Sequence, residues 1–527
     1  MDAKKIRLDV TALAVSFVLL SILVVASIVA PAATTDTLNG IRVWICSALG
    51  FYFLLIIILC LAMVIWFGAS KYGCIRLGKE KPAYSTYGWA AMIFCASMGT
   101  SILYWSAIEW VYYIQWPPFG YEALSSEALE IAVPYSFFHW GFPAWSVYAA
   151  GTIPLAYRYY VRKKEGLTLQ AVCSGVIPGS TEGLLSRVIN IVFIVGILGG
   201  LTITYGTGIP MLANNLANSI GTSETFMAYA LLIGLTTLTF ATSTYIGIEK
   251  GMQNLSRMTT WFSLALCLIF LMGSPLFSLS NTFQSLGIMA DKFAIMLTYL
   301  DPIRGGGFPQ DWTVFYWAWW VGLAPWMWIF IAKISKGRTV RSVVGGVVVA
   351  GSIGSFLFFG TISNYGLHAH ISGAIDIVQT MSDHGVSQII SELSLSLPLG
   401  RAVLALWFIS GFLLLVTTMD SATYTLAEAS TIGLKVGEDP SRNLRLFWAV
   451  MLAVAPLCLL YAGQSIPGGT PLGGLQAMLI ITAVPVSVTI LFAMVAAYRW
   501  FTEDFGRYTK EEILAGAEPA RDRKSVV

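Results

Sequence analysis

The sequence predicts an all-α protein that crosses a membrane twelve times. Of its 527 residues, 56% are hydrophobic and only 11% are charged, against about a quarter charged in soluble domains, and the mean hydropathy is +0.72. The apolar residues fall into twelve runs, each long enough to cross about 30 Å of hydrocarbon as a helix: 10–32, 45–67, 86–108, 135–157, 188–213, 225–246, 259–280, 312–332, 343–362, 402–424, 446–463 and 475–498. Of the 31 Lys and Arg, all but Arg42, Lys292, Arg304 and Arg401 lie at the termini or in alternate connections. That bias places both termini in the cytoplasm of a plasma membrane. The net charge of +3 then reflects orientation toward an anionic inner leaflet and gives no ground for a nucleic-acid partner.

Span 1 starts basic and ends near APAA, the outline of a signal peptide, but its apolar run exceeds a typical signal core and is read as a retained helix. The seven cysteines lie mostly in or beside spans without CxxC spacing, which predicts neither disulfides nor a zinc site. In span 3 the small residues Ala96 to Ser101 have two readings. One is tight helix packing; the other is an unwound stretch whose backbone meets an ion or a carboxylate. Glu109 follows near the expected outer face as a structural or gating carboxylate. Span 4 carries His139, Trp140, Trp145 and Tyr148. Trp145 and Tyr148 share a helical face, with Trp140 near the same side, although the spacing alone favours core packing.

Span 5 is rich in Gly and Thr, including Thr202 and Thr204, as close helix packing requires. Residues 284–300 and 374–397 read as amphipathic surface helices. Span 8 holds Trp312, Trp317, Trp319, Trp320, Trp326 and Trp328. Membrane tryptophans normally sit at the two interfaces, whereas Trp319 and Trp320 stand midway. An aromatic face there suits a desolvated cation, and lipid-facing packing is the plainer alternative. Gly322 and Pro325 are expected to interrupt this helix. His368, His370 and His384 read as exposed loop residues, a weak metal signal. Span 10 contains Thr417, Thr418, Asp420 and Ser421, hard oxygens of the kind a sodium ion takes.

GGFPQDWTVFYWAWW followed by FIAKISKGRTVR, together with SILYWSAIEWVYYIQWPPFG, YSFFHWGFPAW and SATYTLA, resembles the betaine/carnitine/choline transporter (BCCT) family over most of the chain. The resemblance implies two inverted five-helix repeats of LeuT-like type, at 86–280 and 312–498, whose first helices are both interrupted. They are preceded by a tail and two spans (1–85), joined by an outer amphipathic segment (281–311) and followed by a cytoplasmic tail (499–527). It implies a secondary transporter rather than an enzyme, in a bacterial inner membrane, assembled as a homotrimer among membrane lipid and without an organic cofactor.

The implied substrate is a small onium zwitterion of betaine, carnitine, choline or dimethylsulfoniopropionate type. By the same resemblance Trp140, Trp145, Tyr148, Trp319 and Trp320 form an aromatic box, with Met327 lining it and Ser97, Met98 and Gly99 supplying the unwound stretch. Leu323 replaces an aromatic found in relatives. A sodium ion would be held by Thr417, Thr418 and Met98. The overall likeness runs toward carnitine-exchanging members. The ion-site residues run toward sodium-coupled ones, because Thr259 stands where the exchangers place an arginine. Sodium-coupled import is therefore expected, with sodium-independent exchange as the alternative and a channel third. No Walker A, HExxH or nucleophile-elbow motif is present.

Overall fold

A computed structural model gives the architecture. It describes residues 7–520 apart from 165, 182, 247–248, 435–437 and 466–471; the side chains of 95–98, 246, 249–257 and 472 also lie outside the described residues. Helices α1 (Val10–Val29) and α2 (Pro31–Ala69) form spans 1 and 2. Span 3 is two helices, α3 (Thr86–Met98) and α4 (Ser101–Gln115), and so is span 4, as α5 (Ser126–Trp140) and α6 (Phe142–Tyr160). A short α7 (Leu169–Cys173) precedes α8 (Gly183–Ile220) and α9 (Phe226–Ile246). Helix α10 (Glu249–Gly273) turns by 105° into α11 (Pro275–Thr298), where Pro275 lacks the N–H that would continue the ladder.

A π-helical turn at Pro309–Thr313 leads into α12 (Val314–Ile334). Span 9 is one rod made of α13 (Val340–Gly345), α14 (Gly351–Phe358) and α15 (Asn364–Ile371), joined by π-helical turns. Helices α16 (Ile377–His384) and α17 (Val386–Leu395) occupy the predicted amphipathic stretch, with Ile389, Ile390 and Leu393 turned fully inward. Helices α18 (Gly400–Ala429), α19 (Arg442–Gln464) and α20 (Leu472–Phe505) are spans 10 to 12, followed by α21 (Lys510–Leu514).

Among the described residues, nine helical rods are long and apolar enough to cross a membrane unbroken. The three predicted spans missing from that set are the broken 3 and 4 and the bent 7. The chain is thus an all-α, multi-pass membrane protein. Its basic connections gather at one end: Arg7 and Leu8 pair antiparallel with Ile432 and Thr431, Lys71 Nζ donates to the carbonyls of Gly506 and Tyr508, and Arg162 is ion-paired to Asp504 at 2.9 Å.

Helix α12 is the hub, packed by α6, α8, α20 and α2. Its most apolar window is 94% buried, against 28% for α1, which rules out lipid-facing tryptophans. Trp328 lies in a slot opened by Gly151, where a Cβ would stand 2.0 Å from the indole. The expected interruption at Gly322 to Pro325 is not there: α12 is continuous through both. Pro325 removes one backbone hydrogen bond, and dense packing on every side holds the helix straight across that loss. Gly196 of α8 is what admits a close neighbour here, since a Cβ on it would lie 2.7 Å from Val486 Cγ2 and 3.4 Å from the Gly322 carbonyl oxygen.

Span 3 does break as expected. Gly99 has φ 52° and ψ −155°, backbone open essentially to glycine alone. His368 and His370 are helical and half-buried in α15 rather than exposed in a loop, with His368 against Phe277 and His370 against Trp110.

Candidate functional site: an aromatic corner facing a broken helix

The break at Gly141 between α5 and α6 decides which aromatics meet. A Cβ on Gly141 would stand 2.4 Å from the Phe137 carbonyl oxygen and 2.9 Å from the Phe356 ring. The chain restarts there with a new helical phase, so Trp140 and Tyr148 do not share a face by spacing; they converge because two helices aim them at α12. Trp140 meets Trp319 and Trp320 at ring-centroid distances of 5.6 and 5.9 Å with planes near perpendicular, 81° and 79°. Tyr148 lies 4.9 Å from Trp320. These four rings and Trp326 wall one side of a narrow cavity of about 20 Å³.

The opposite wall is polar and belongs to the break: Gly99, Ser101, Thr204 of α8 and Thr418 of α18. A Cβ on Gly99 would lie 3.0 Å from Thr418 Oγ1. Leu201 and Leu323 close the sides. Leu323 sits over Gly200, where a Cβ would stand 2.4 Å from its Cδ2.

The profile described as BCCT, betaine/carnitine/choline family transporter, matches residues 11–506. The chain belongs to this family. It is 37% identical over 453 residues to the "Carnitine transporter" of Acinetobacter baumannii, covering 85% of this chain and 81% of that one. It is 34% identical over 450 residues to the "Uncharacterized transporter YeaV" of Escherichia coli strain K12, covering 85% and 92%. A solved structure described as the substrate-bound outward-open state of a Na+-coupled sialic acid symporter aligns over 85% of this chain and 86% of its own, at 14% identity and a TM-score of 0.43. Membership makes this protein a BCCT transporter with the family's fold, not an enzyme.

In this BCCT protein the sequence-derived site residues divide. Trp140, Tyr148, Trp319, Trp320 and Gly99 line the cavity. Trp145 does not; it stands behind Trp320 at 5.7 Å, its indole nitrogen donating to the Trp140 carbonyl and to Ser355 Oγ. Met327 is fully buried in α12 but off the cavity wall, because the lining face runs through Trp319, Trp320, Leu323 and Trp326. The side chains of Ser97 and Met98 lie outside the described residues; their backbone forms the last turn of α3. Thr418 reaches the cavity, whereas Thr417 does not, and its hydroxyl donates back to the carbonyls of Leu413 and Leu414. Successive helical residues point about 100° apart, which separates the pair.

Two features of this transporter's site were not read from sequence. One is the hub beneath Trp140. Glu109, fully buried, accepts from the Trp140 indole at 2.7 Å, from Tyr316 OH and from Tyr113 OH at 2.8 Å. Tyr113 also meets His139 Nδ1, and His139 Nε2 meets Thr313 Oγ1 at 3.1 Å. The sequence placed Glu109 near the outer face; the only available signal was a carboxylate amid aromatics. The other feature is a pair of buried hydroxyls without partners on the cavity wall, Ser101 Oγ and Thr418 Oγ1; Thr100 Oγ1, also unpaired, lies off it, 2.8 Å from where a Cβ on Gly208 would stand. Buried polar atoms are rarely left unpaired, so this pair is a place built for a polar ligand. Its oxygens suit sodium. The first amides of α4, which have no partner within their own helix, suit a carboxylate. Among the described residues no group of three His, Cys, Asp or Glu could hold a transition metal.

Asp420 faces away from the cavity, accepting from Ser243 Oγ at 3.1 Å and from Thr244, whose carbonyl in turn accepts from Arg445 at 2.8 Å. It ties α18 to α9 and α19.

Proposed function

We propose that this BCCT transporter moves a small onium zwitterion of betaine or carnitine type by alternating access, with sodium as the coupling ion. One observation carries the reading: within a single cavity, the aromatic corner of Trp140, Tyr148, Trp319 and Trp320 faces the unpaired hydroxyls and helix start at Gly99–Ser101. The corner suits a methylated cation, each desolvated cation–π contact contributing about 2 kcal/mol. The break suits the carboxylate, held by α4 amides and by Ser101. Two or three cation–π contacts sum to about −4 to −6 kcal/mol, within the roughly −4 to −8 kcal/mol of millimolar-to-micromolar binding. The name of the Acinetobacter baumannii relative, a carnitine transporter, agrees with this substrate class.

Sodium would take Thr418 Oγ1 with Met98 and a neighbouring carbonyl of the unwound stretch. Sodium-independent exchange is the second reading. It is favoured by Thr417 lying off the cavity wall, its hydroxyl turned to its own helix, which leaves one oxygen fewer for an ion. The transporter is further proposed to be a homotrimer with both termini cytoplasmic, a claim that native mass measurement and terminal labelling test.

Reconstituted vesicles decide the main question. Uptake of labelled glycine betaine, carnitine, choline and dimethylsulfoniopropionate is measured with outside sodium or potassium, with and without internal substrate. Sodium-driven uptake of one of them supports the proposal; uptake that ignores sodium and requires internal substrate establishes exchange; no binding of any onium overturns the substrate class.

A further inference from the structure

A second and larger gap, of about 300 Å³, lies away from the aromatic corner, between α3, α10 and α14. Its inner wall is one stripe of α3, Tyr87, Ala90, Ala91 and Phe94, facing Leu264 on α10 and Leu357 on α14. Its floor is Ile102 and Leu414, directly behind the Gly99 break. Its mouth is open, with Tyr87 69% and Ile353 61% exposed. Among the described residues, the hydroxyls along it besides the Tyr87 phenol are Thr260 and Ser263, and Ser263 Oγ is buried without a hydrogen-bond partner.

All the bounding helices belong to membrane spans, so the mouth opens on hydrocarbon. Water inside would find too few polar partners, and an unfilled gap forfeits dispersion contacts along its whole lining. A hydrocarbon chain from the surrounding bilayer satisfies both conditions. Tyr87, amphipathic and near the start of α3, has the character of a residue at the headgroup level. Lys81, exposed in the connection entering α3 at the same end as Tyr87, is a cation of the kind that attracts an anionic headgroup.

We propose that this groove binds one acyl chain of an anionic membrane phospholipid, and that the chain bears on α3 and thereby on movement about Gly99. Helix α3 meets α4 at the Gly99–Thr100 break, so any tilt of α3 pivots there, and the groove is the space on its far side; Trp89 ties its first turn to Ser335 by a 3.1 Å hydrogen bond. The second half of the proposal rests on the transport reading above; the first half does not, because occupancy is measured without transport.

The test uses the full-length protein in vesicles of phosphatidylethanolamine and phosphatidylglycerol, the latter with a photoreactive diazirine near the chain end. Adducts are mapped by peptide mass. Labelling of the groove stripe is expected to exceed, per exposed residue, that of the lipid-facing α1 positions Ile22 and Val25, which are 61% and 58% exposed. Equal labelling of groove and α1, or cross-linking of the groove to a second copy of the chain instead, overturns the site. The double variant Ala91→Leu/Ser263→Leu narrows the gap from two walls and forfeits no hydrogen bond, because Ser263 Oγ has none. With much of the room taken, groove labelling should fall severalfold while α1 labelling stays unchanged, and undiminished groove labelling is again fatal. For the second half, wild-type turnover should differ severalfold between straight-chain and methyl-branched phospholipids, and the double variant should lose that difference. An equal lipid dependence in both proteins refutes the link to α3 without touching the onium assignment.

Discussion

The Trp140 indole nitrogen donates a 2.7 Å hydrogen bond to Glu109 Oε2, so a buried carboxylate fixes the ring that forms the corner with Trp319 and Trp320. Charge-assisted hydrogen bonds contribute about 1.5–3 kcal/mol. Glu109→Gln keeps an acceptor but removes the charge shared by Trp140, Tyr316 and Tyr113. Onium affinity should weaken about tenfold at unchanged expression, a loss of about 1.4 kcal/mol, and isothermal titration with carnitine and glycine betaine reads it directly. Unaltered affinity would mean that packing alone positions Trp140.

Trp320 touches Trp140, Trp145 and Tyr148. Trp320→Leu retains apolar bulk and removes the π face, and affinity should fall at least about tenfold. Trp145→Leu should cost less, since Trp145 only backs the corner. A larger loss at Trp145 than at Trp320 would invert the assignment.

Gly99 and Gly322 make opposite predictions for the same substitution. Gly99→Ala forces a Cβ into φ 52° and to 3.0 Å from Thr418 Oγ1, a strain of about 1–3 kcal/mol, and transport should be lost. At Gly322 a Cβ meets Leu479 and Ala483 at ordinary contact, 3.6 and 3.7 Å, inside a continuous helix. Gly322→Ala should leave uptake intact and stabilise by up to about 1 kcal/mol, visible as a higher melting temperature in detergent.

Gly200→Ala meets Leu323 Cδ2 at 2.4 Å and must push that side chain into the cavity. Bulky onium substrates should lose more affinity than small ones, which a competition series from tetramethylammonium to carnitine measures.

Thr418 lines the cavity and Thr417 is engaged with its own helix. If sodium is the coupling ion, Thr418→Ala should raise the sodium concentration for half-maximal uptake about tenfold or more, the loss of one oxygen ligand, and Thr417→Ala should raise it less. Equal indifference of both variants to sodium would favour exchange.

Sequence alone determined the membrane-spanning class, the approximate position of every span, the tryptophan helix and the family. These are written in local terms: apolar run length answers to bilayer thickness. At residues 96–101 the sequence left tight packing and an unwound stretch both open, and the structure decided for the break at Gly99. Tertiary structure alone decided which aromatics share a wall. The break at Gly141 resets the helical phase between Trp140 and Tyr148, so no spacing along the chain relates them. Only packing could show α12 unbroken at Pro325, because the lost hydrogen bond is outweighed by contacts from four other helices. The same holds for Glu109, Tyr316 and Trp140, which are brought together across 207 and 31 residues of chain: a buried carboxylate must find its donors wherever the fold brings them.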